Sequence, residues 1–270
     1  MPERKKLPVA LTIAGSDSGG GAGIQADLKT FAALGVHGTS AIACITAQNP
    51  RRVLGIETVS PKILRQQIEA VFEELKPRAV KTGMLYSAEN ISTVVGFLRN
   101  QKSEIRNQSL VVDPVLVSTS GARLLEPKAL KTLREKLLPL ATLVTPNLDE
   151  AEILTEQKIT SIETMRRAAK KIRSQSGCAV LLKGGHLKNS HKAVDIFFDG
   201  KTELLLTAPF VKNVKTHGTG CTYSAAICAA LALGNNLPRS VQIGKQFVTA
   251  AIANSYKIGK HFALDQSNRR

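Results

Sequence analysis

Aromatic residues are scarce in this sequence, whose 270 residues include 3 Tyr, 8 Phe and no Trp. Proteins that bind single-stranded nucleic acid stack the bases on aromatic side chains placed among basic ones. The basic residues give a formal charge of +16, but they are spread along the chain without a long block. We therefore expect no nucleic-acid partner, and we interpret most of the positive charge as ordinary solvated surface.

Cysteine is equally sparse, and its spacing excludes common thiolate metal sites. Cys44, Cys178, Cys221 and Cys228 form no C-x-x-C pair and have no histidine at zinc-finger spacing. We expect reduced cysteines and a cytoplasmic protein. No apolar run approaches the roughly 20 residues of a membrane span, and the apolar run over residues 9–14 is shorter than a signal-peptide core. We therefore expect no membrane association.

The apolar content of 43% is ample for a core, and its pattern predicts one α/β domain over residues 1–270, ordered from about 8 to 260. Short apolar runs alternate with amphipathic helical windows, which indicates a mostly parallel sheet covered on both faces. Asp199-Gly200 predicts a β-hairpin. The predicted strands cover residues 8–14, 39–46, 79–82, 109–112, 141–145, 178–182, 193–198 and 203–207. The predicted helices cover 22–34, 129–138, 221–233 and 239–258, with one more starting at Ser60-Pro61 and another at a Thr160/Glu163 capping box.

A glycine-rich turn follows the first predicted strand, with five glycines in the nine residues from Gly15 to Gly23. Such a turn lets the backbone approach a ligand closely. The spacing Gly21-x-Gly23-x-x-Ala26 matches the dinucleotide fingerprint weakly, because the next acidic residue after Asp27 comes too late. A Walker lysine motif is absent. The turn predicts a binding loop of another kind.

A second glycine motif, His217-Gly-Thr-Gly-Cys-Thr222, opens an apolar helix. Backbone amides at a helix start form an anion site when glycines free them, and the helix dipole assists. The same field predicts that the pKa of Cys221 is lowered, so that the thiol is partly ionised. The alternative interpretation is an ordinary helix start, with Thr219 or Thr222 as the N-cap and Cys221 as a small core residue.

Polar residues end several other predicted strands. Asp113 follows one strand, and Asn147 with Glu150 follows the next. These oxygen donors suit Mg²⁺, although Asn147 and Glu150 could equally form a helix capping box. Lys183 ends a further strand before two glycines and would suit phosphate oxygens. Together the glycine loop, anion site, acids and lysine predict phosphoryl transfer.

Seven motifs then occur in an order that resembles one enzyme family. They are Gly15-Ser-Asp-Ser-Gly-Gly-Gly-Ala-Gly-Ile-Gln-Ala-Asp27, Thr46-Ala-Gln-Asn49, Lys81-Thr-Gly-Met84, Asp113-Pro-Val, Thr145-Pro-Asn-Leu-x-Glu150, Lys183-Gly-Gly-His186 and His217-Gly-Thr-Gly-Cys-Thr222. The chain resembles the hydroxymethylpyrimidine/phosphomethylpyrimidine kinases of thiamine biosynthesis, within the ribokinase superfamily, over about residues 8–260. The resemblance implies a ribokinase-like three-layer α/β/α sandwich. It implies ATP- and Mg²⁺-dependent phosphorylation of a pyrimidine hydroxymethyl group and then of its monophosphate.

The resemblance also implies roles for individual residues. Gly15, Ala22 and Asp27 would line the substrate pocket, Gln48 would hydrogen-bond the aminopyrimidine, and Met84 would pack on its ring. Gly218, Thr219, Gly220 and Cys221 would surround the transferring phosphoryl group, with Cys221 as a base or as part of the anion hole. Asn147, Lys183 and Lys215 would contact ATP, while Asp113 and Glu150 would hold Mg²⁺.

Two features leave alternatives open. Similar sequences carry a lysine in the loop after Asp113-Pro-Val, whereas Thr119-Ser120-Gly121 stands here, so a phosphate contact from that loop is in doubt. Kinases with the same cysteine motif also phosphorylate vitamin B6, so pyridoxal kinase is the alternative activity. A non-catalytic pyrimidine-binding module is a further alternative. We expect a homodimer.

Overall fold

The computed structural model describes residues 6–100, 108–117, 124–185, 187, 192–211 and 217–267. The strands in chain order are β1 (Val9–Ala14), β2 (His37–Ile42), β3 (Cys44–Asn49), β4 (Arg52–Thr58), β5 (Ala79–Thr82), β6 (Ser109–Val112), β7 (Leu143–Val144), β8 (Ala179–Gly184), β9 (Lys192–Phe198), β10 (Glu203–Pro209), β11 (Tyr256–Ile258) and β12 (His261–Ala263). The helices are α1 (Gly23–Ala33), α2 (Pro61–Leu75), α3 (Ala88–Asn100), α4 (Pro127–Thr132), α5 (Leu148–Thr155), α6 (Ile162–Ser176), α7 (Thr219–Ala232) and α8 (Leu237–Ala253). A π-helical turn, Leu133–Leu137, and a 3-10 turn, Leu138–Leu140, extend α4.

Eight strands form the central sheet in the order β10-β9-β8-β7-β6-β5-β1-β2. Neighbours from β8 to β2 pair in parallel, which confirms the predicted parallel sheet. The Asp199-Gly200 hairpin is also confirmed, and its strands β9 and β10 extend the sheet as an antiparallel edge. Two separate two-stranded hairpins, β3–β4 and β11–β12, complete the described strands.

Helices cover both faces of the sheet and create two apolar clusters. Leu11 and Ile13 of β1 point to one face, where they join residues of α2, α3 and α6. Ala10 points to the other face, with residues of α1, α7 and α8. This alternation confirms the three-layer α/β/α sandwich. In the described part of the chain, no helix has both the length and the apolar character needed to cross a bilayer.

The strand predicted over residues 39–46 is wrong in one respect, because two strands occupy it. β2 pairs with β1 in the main sheet, whereas β3 pairs with β4. Ala43 lies between them, and its amide still bonds to the carbonyl of Ala14. A continuous apolar run shows burial, but it does not show that the chain changes partner within it.

Two helix ends also differ from the predictions. The capping box of α6 uses Ser161 and Thr164, so the predicted Thr160/Glu163 box is wrong. The last helix ends at Ala253 instead of residue 258, because Tyr256–Ile258 pairs with β12 around Gly259, whose φ is +55°. Ser60 does cap α2, with its hydroxyl accepting from the amide of Ile63.

The predicted site residues lie close together because neighbouring strands of the sheet run in the same direction. β1, β5, β6 and β7 are parallel neighbours, so their carboxyl ends reach the same edge. Gly15, Gly83, Asp113 and Asn147 follow these strand ends. This edge is where ligands bind in parallel α/β folds.

Candidate active site

The glycine-rich turn after β1 folds around the side chain of Asp17. Its Oδ1 accepts a hydrogen bond from the Gly19 amide at 2.8 Å, and its Oδ2 accepts from Gly21 and Ala22 at 3.1 and 2.8 Å. Asp17 is only 1% exposed. Burial opposes its ionisation, but hydrogen bonds from neighbouring side chains and these amides hold the pKa of Asp17 far below its usual range. A buried, ionised carboxylate therefore fixes the shape of this loop.

The amino-terminal end of α7 packs directly on the same turn. Gly218 has a φ of +83°, and a Cβ there would lie 1.8 Å from the carbonyl oxygen of Gly21. The ring Nε2 of His217 lies 3.1 Å from Oδ2 of Asp17. The two glycine motifs, about two hundred residues apart in sequence, thus form one continuous surface.

Lys183 and Asp113 lie beneath the first turn of α7. The ammonium of Lys183 bonds to Oδ1 of Asp113 at 3.1 Å, and Oδ2 of Asp113 accepts from the Ser224 hydroxyl. A Cβ on Gly220 would lie 3.2 Å from the Lys183 nitrogen. Burial works against the ammonium, yet Asp113 and Glu150 hold the pKa of Lys183 above its ordinary value. A charged lysine therefore sits next to the predicted anion site.

Asn147 and Glu150 form a capping box at the start of α5. The Asn147 side chain accepts from the Glu150 amide at 2.8 Å, and Glu150 Oε2 accepts from the Asn147 amide at 2.9 Å. The other carboxylate oxygen accepts from the Leu116 amide. Burial raises the pKa of Glu150, with Lys183 opposing and Asp113 reinforcing the rise. The capping interpretation of this pair is therefore confirmed.

Cys221 lies in the first turn of α7 as a half-buried free thiol. Burial raises its pKa to about 11, although Lys81 and a hydrogen bond from the Gly23 amide pull in the opposite direction. The expectation of a partly ionised thiol is therefore wrong, because desolvation outweighs the helix field. At neutral pH this group is a thiol that can donate a weak hydrogen bond.

Asp27 and Lys81 form an ion pair in the interior behind the glycine loop. Their side chains meet at 2.8 Å with both fully buried, and Thr12 also donates to Asp27 Oδ2. Lys81 acts electrostatically on Cys221 and Asp113. Asp27 was predicted to line the substrate pocket, but its side chain is fully buried, so any influence on a bound substrate is indirect.

A small apolar cluster adjoins Gly15 and includes the predicted ring contact, Met84. Gly15 is packed so closely that a Cβ would lie 2.6 Å from the sulfur of Cys44 and 3.6 Å from that of Met84. Tyr86 and Val115 border this cluster with φ values of +69° and +46°. Positive φ is costly for such residues, and backbone strain of this kind concentrates at functional sites.

Gln48 reaches the site from β3 and is tied to the glycine loop. Its backbone amide donates to the Ser18 hydroxyl at 2.8 Å, and that hydroxyl donates to the Gln48 carbonyl at 2.7 Å. Its side chain is among the groups that lower the pKa of Asp17. The β3–β4 hairpin is therefore the third element of the site.

The structure brings together nearly every predicted site residue that it describes. Lys215 lies outside the described residues, as do His186 and the Thr119–Gly121 loop. Sequence reasoning assigned no role to Asp17, His217 or Lys81, although all three stood in the motifs. Asp17 offered a signal, since an acid between glycines readily accepts hydrogen bonds from following amides.

This arrangement can hold an anion over a buried set of charges. The first amides of a helix lack partners within the helix, so the start of α7 offers donors and a positive dipole end. Lys183 adds a positive charge there, and the apolar cluster near Gly15 supplies a dry surface for a ring. The geometry fits a small organic alcohol beside a phosphoryl donor.

The family model for phosphomethylpyrimidine kinase matches residues 17–264 of the chain. The hydroxymethylpyrimidine/phosphomethylpyrimidine kinase of Rhizobium meliloti is 50% identical over 255 residues, covering 93% of this chain and 94% of that protein. The thiamine biosynthesis bifunctional protein ThiED of Geobacter sulfurreducens is 46% identical over 250 residues, covering 93% of this chain. The chain spans about half (50%) of that longer protein's length.

Solved structures show the same fold. The pyridoxal kinase from Staphylococcus aureus in complex with ADP superposes with a TM-score of 0.88 at 36% sequence identity. The match covers 98% of this chain and 96% of that one. The fold and the family motifs thus extend over almost the whole sequence.

Proposed function

Because the chain belongs to the phosphomethylpyrimidine kinase family, we propose that it phosphorylates 4-amino-5-hydroxymethyl-2-methylpyrimidine with ATP. It then phosphorylates the resulting monophosphate to the diphosphate, which is a step of thiamine biosynthesis. The observation that carries this proposal is the contact between the two glycine motifs, with Lys183 directly beneath Gly220. That contact joins a substrate loop to an anion site.

The start of α7 would stabilise the phosphoryl group as it moves between oxygens. Gly218 and Gly220 keep the backbone free of side chains there, so that Thr219, Gly220 and Cys221 can present their amides. Charge accumulates on the transferring group, and fixed donors in a dry site stabilise it more than water does. Lys183, held by Asp113, would neutralise phosphate oxygens of ATP. Asn147 and Lys215 are proposed as further ATP contacts.

Mg²⁺ is the ion that this family implies, and the carboxylates fit it. Mg²⁺ uses one or two carboxylates together with water and substrate phosphates. Glu150 and Asp113 are buried hard-oxygen donors that repel each other electrostatically, so a divalent cation would relieve that repulsion. Among the described residues no cluster of three metal-binding side chains occurs, which suits an ion held mainly by phosphate. Bound there, Mg²⁺ would neutralise phosphate charge.

Cys221 is proposed as an anion-hole donor. Its thiol is neutral at physiological pH because burial raises its pKa to about 11, so it is a poor general base. The charged pair Lys81–Asp27 lies close enough to act on it electrostatically. The substrate hydroxyl would therefore lose its proton late, to an oxygen of the transferring phosphoryl group, as its oxygen bonds to phosphorus and the bond from phosphorus to the ADP oxygen breaks.

The pyrimidine would lie against Gly15, Ala22 and Met84. Gln48 would hydrogen-bond the amino group, and Asp27 would support the wall from behind. Met84 is 8% exposed within the apolar cluster, which is consistent with a ring-packing surface.

Pyridoxal phosphorylation is the second candidate activity. The observation that favours it is the close superposition on a pyridoxal kinase that is 36% identical. Both substrates are flat six-membered nitrogen rings that carry a hydroxymethyl group, so the same apolar cluster could accommodate either ring.

A coupled assay with ATP and Mg²⁺ tests these alternatives on three acceptors: the hydroxymethylpyrimidine, its monophosphate and pyridoxal. We expect turnover of both pyrimidines, with kcat/KM for the hydroxymethylpyrimidine above that for pyridoxal. Preference for pyridoxal without turnover of the monophosphate would support the second candidate. Binding of the pyrimidine without ATP turnover would show a non-catalytic module.

We also propose a homodimer and a cytoplasmic location. The four cysteines are free thiols, as in a reducing compartment. Ile45 and Leu54 on the β3–β4 hairpin are 54% and 63% exposed, which provides apolar surface for a second copy. Light scattering coupled to size exclusion would give the oligomeric state.

A further inference from the structure

A buried ion pair between β9 and α8 lies beside the strand that carries Lys183. Oδ2 of Asp195 on β9 accepts a hydrogen bond from the ammonium of Lys245 on α8 at 2.7 Å. The two residues are 3% and 9% exposed. The reaction proposed above uses neither of them. Removing both charges from water is costly, so stability alone is a weak reason for the presence of this pair.

The register of the sheet brings this pair next to Lys183. β8 and β9 are antiparallel, and Lys183 stands directly opposite Asp195. Residues opposite each other on neighbouring strands point to the same face, with Cβ atoms about 5 Å apart. Oδ1 of Asp195 also accepts a hydrogen bond at 3.0 Å from the backbone amide of Gly184, the residue after Lys183. The Asp195 carboxylate is therefore within reach of the Lys183 ammonium, which ends a flexible four-carbon stem.

The ammonium of Lys183 is nevertheless directed to a different acid. It bonds to Oδ1 of Asp113 at 3.1 Å, next to the anion site at Gly220. Asp113 follows β6 and Asp195 lies on β9, so the two carboxylates stand on opposite sides of β8 in the sheet. Lys183 thus has an acid on either side, and the acid on β9 already holds the ammonium of Lys245.

We infer that Lys245 is a positioning residue that keeps Lys183 at the anion site by holding Asp195. This inference rests on the proposed function, in which Lys183 neutralises phosphate oxygens of ATP. Without Lys245, Asp195 would be a buried carboxylate that lacks its cation, and such a charge is costly until it finds a new partner. Lys183 is the cation that the register places opposite it. A turn of Lys183 toward Asp195 would withdraw positive charge from the phosphates, so Lys245 acts on ATP through Lys183.

The test compares two variants that break the same ion pair from opposite ends. Lys245→Met leaves the charge of Asp195 behind. We therefore expect KM for ATP, and the Kd of ATP with Mg²⁺ from calorimetry without an acceptor, to rise at least about tenfold, as for the loss of one charge-assisted hydrogen bond. Asp195→Asn removes that charge and should leave both constants within about twofold of wild type. In that variant the ammonium of Lys245 still has the carbonyl of Ala193 at 3.5 Å.

The double variant Lys245→Met/Asp195→Asn tests for rescue. No acid then remains on β9 to attract Lys183, so KM and Kd for ATP should return to nearly the wild-type values. Lys183→Met is the reference variant, and it should raise both constants. Adding Lys245→Met to it should raise them no further, because both substitutions remove the same contact with ATP.

Urea unfolding of each variant separates a change in stability from a change in ATP affinity. If Lys245→Met does not fold, Lys245→Gln takes its place, because the amide still donates a hydrogen bond to Asp195 but carries no charge. An unchanged ATP affinity in the folded Lys245 variant would overturn the inference, as would a double variant that stays impaired. An equal loss of ATP affinity in Asp195→Asn would also overturn it and would show a structural role of the pair. Absence of turnover by wild type with every acceptor would instead refute the proposed function, and the Kd values for ATP would still decide the inference.

Discussion

At the scale of single residues, the site is underlain by charges in the interior. Asp27, Lys81 and Asp113 are at most 3% exposed, and each has a partner of opposite charge. Burying such pairs costs desolvation energy that their attraction repays only in part. They therefore add little net stability, and their value lies in the fixed electric field that they create under the start of α7.

The neutral state of Cys221 leads to a prediction about its substitutions. Cys221→Ala should lower kcat by about 10²-fold, because an anion-hole donor is lost. Cys221→Ser keeps a donor of similar size and should retain most of the activity. Steady-state kinetics from pH 6 to 9 provide the measurement. A base role would instead show a rate that rises with pH toward the thiol pKa of about 11 in wild type and is lost in both variants.

Asp17 should contribute stability that disappears in acid. Its pKa in the folded protein lies below the ordinary value of 3.8, so the folded state favours the ionised form. This contribution is fully present above about pH 4 and is lost as the pH falls below that value. Wild type should exceed Asp17→Asn by about 2 kcal/mol at pH 7, and the gap should narrow at pH 3. Urea unfolding at the two pH values measures it, and a constant gap would contradict the assignment.

Residue types at the site were predictable, whereas their charge states were not. Lys183, Asp113 and Glu150 could be placed from the strand ends that precede them. The thiol pKa of Cys221 could not, because the sequence shows the helix start but not how deeply the thiol is buried. The bond between His217 and Asp17 was equally hidden, since it joins residues 200 positions apart.

At the scale of elements, the contact between α7 and the glycine loop depends on a missing side chain. Gly218→Ala combines a positive φ with a Cβ placed 1.8 Å from Gly21, so the two elements must separate. We expect the loss of at least about 2 kcal/mol of stability and about 10²-fold in kcat/KM. Urea unfolding and steady-state kinetics would measure the two losses.

Gly234, at the other end of α7, supplies the control for that substitution. It has a φ of +89°, but among the described residues nothing lies within 4 Å of a Cβ added there. Gly234→Ala should therefore show only the conformational cost, about 1 kcal/mol, with normal kinetics. Equal effects of the two alanines on activity would show that close approach at Gly218 is unimportant.

The parallel strands could be predicted from their apolar runs, and β5 and β6 match their predicted bounds. The β3–β4 hairpin could not, because Thr39–Thr46 reads as one buried segment although β3 leaves the sheet. Helix α3 was missed because Ile91, Val94 and Val95 are β-branched and resemble a strand. In the β3–β4 hairpin and in α3, tertiary packing decides which secondary structure the segment adopts.

At the scale of the whole molecule, the two apolar clusters share the strands of one sheet. Adjacent residues of one strand belong to different clusters, as Leu11 and Ala10 of β1 show. Unfolding of either helical layer would therefore expose one face of strands on which the other layer also packs. We therefore predict a single cooperative unfolding transition. Far-UV circular dichroism and tyrosine fluorescence should give the same midpoint, because Tyr86, Tyr223 and Tyr256 lie in separate regions and no Trp obscures them. Two resolved transitions would refute the single-domain assignment.

The bond between Asp17 and His217 also bears on the order of events during synthesis. Two hundred positions separate its partners, so the loop that begins the site leaves the ribosome long before the helix that completes it. At about 5–20 residues per second, this interval lasts on the order of ten seconds or more. During that time the nascent chain carries the glycine loop but no anion site. Catalytic competence therefore arrives late, only after α7 has been made and has packed against the glycine loop.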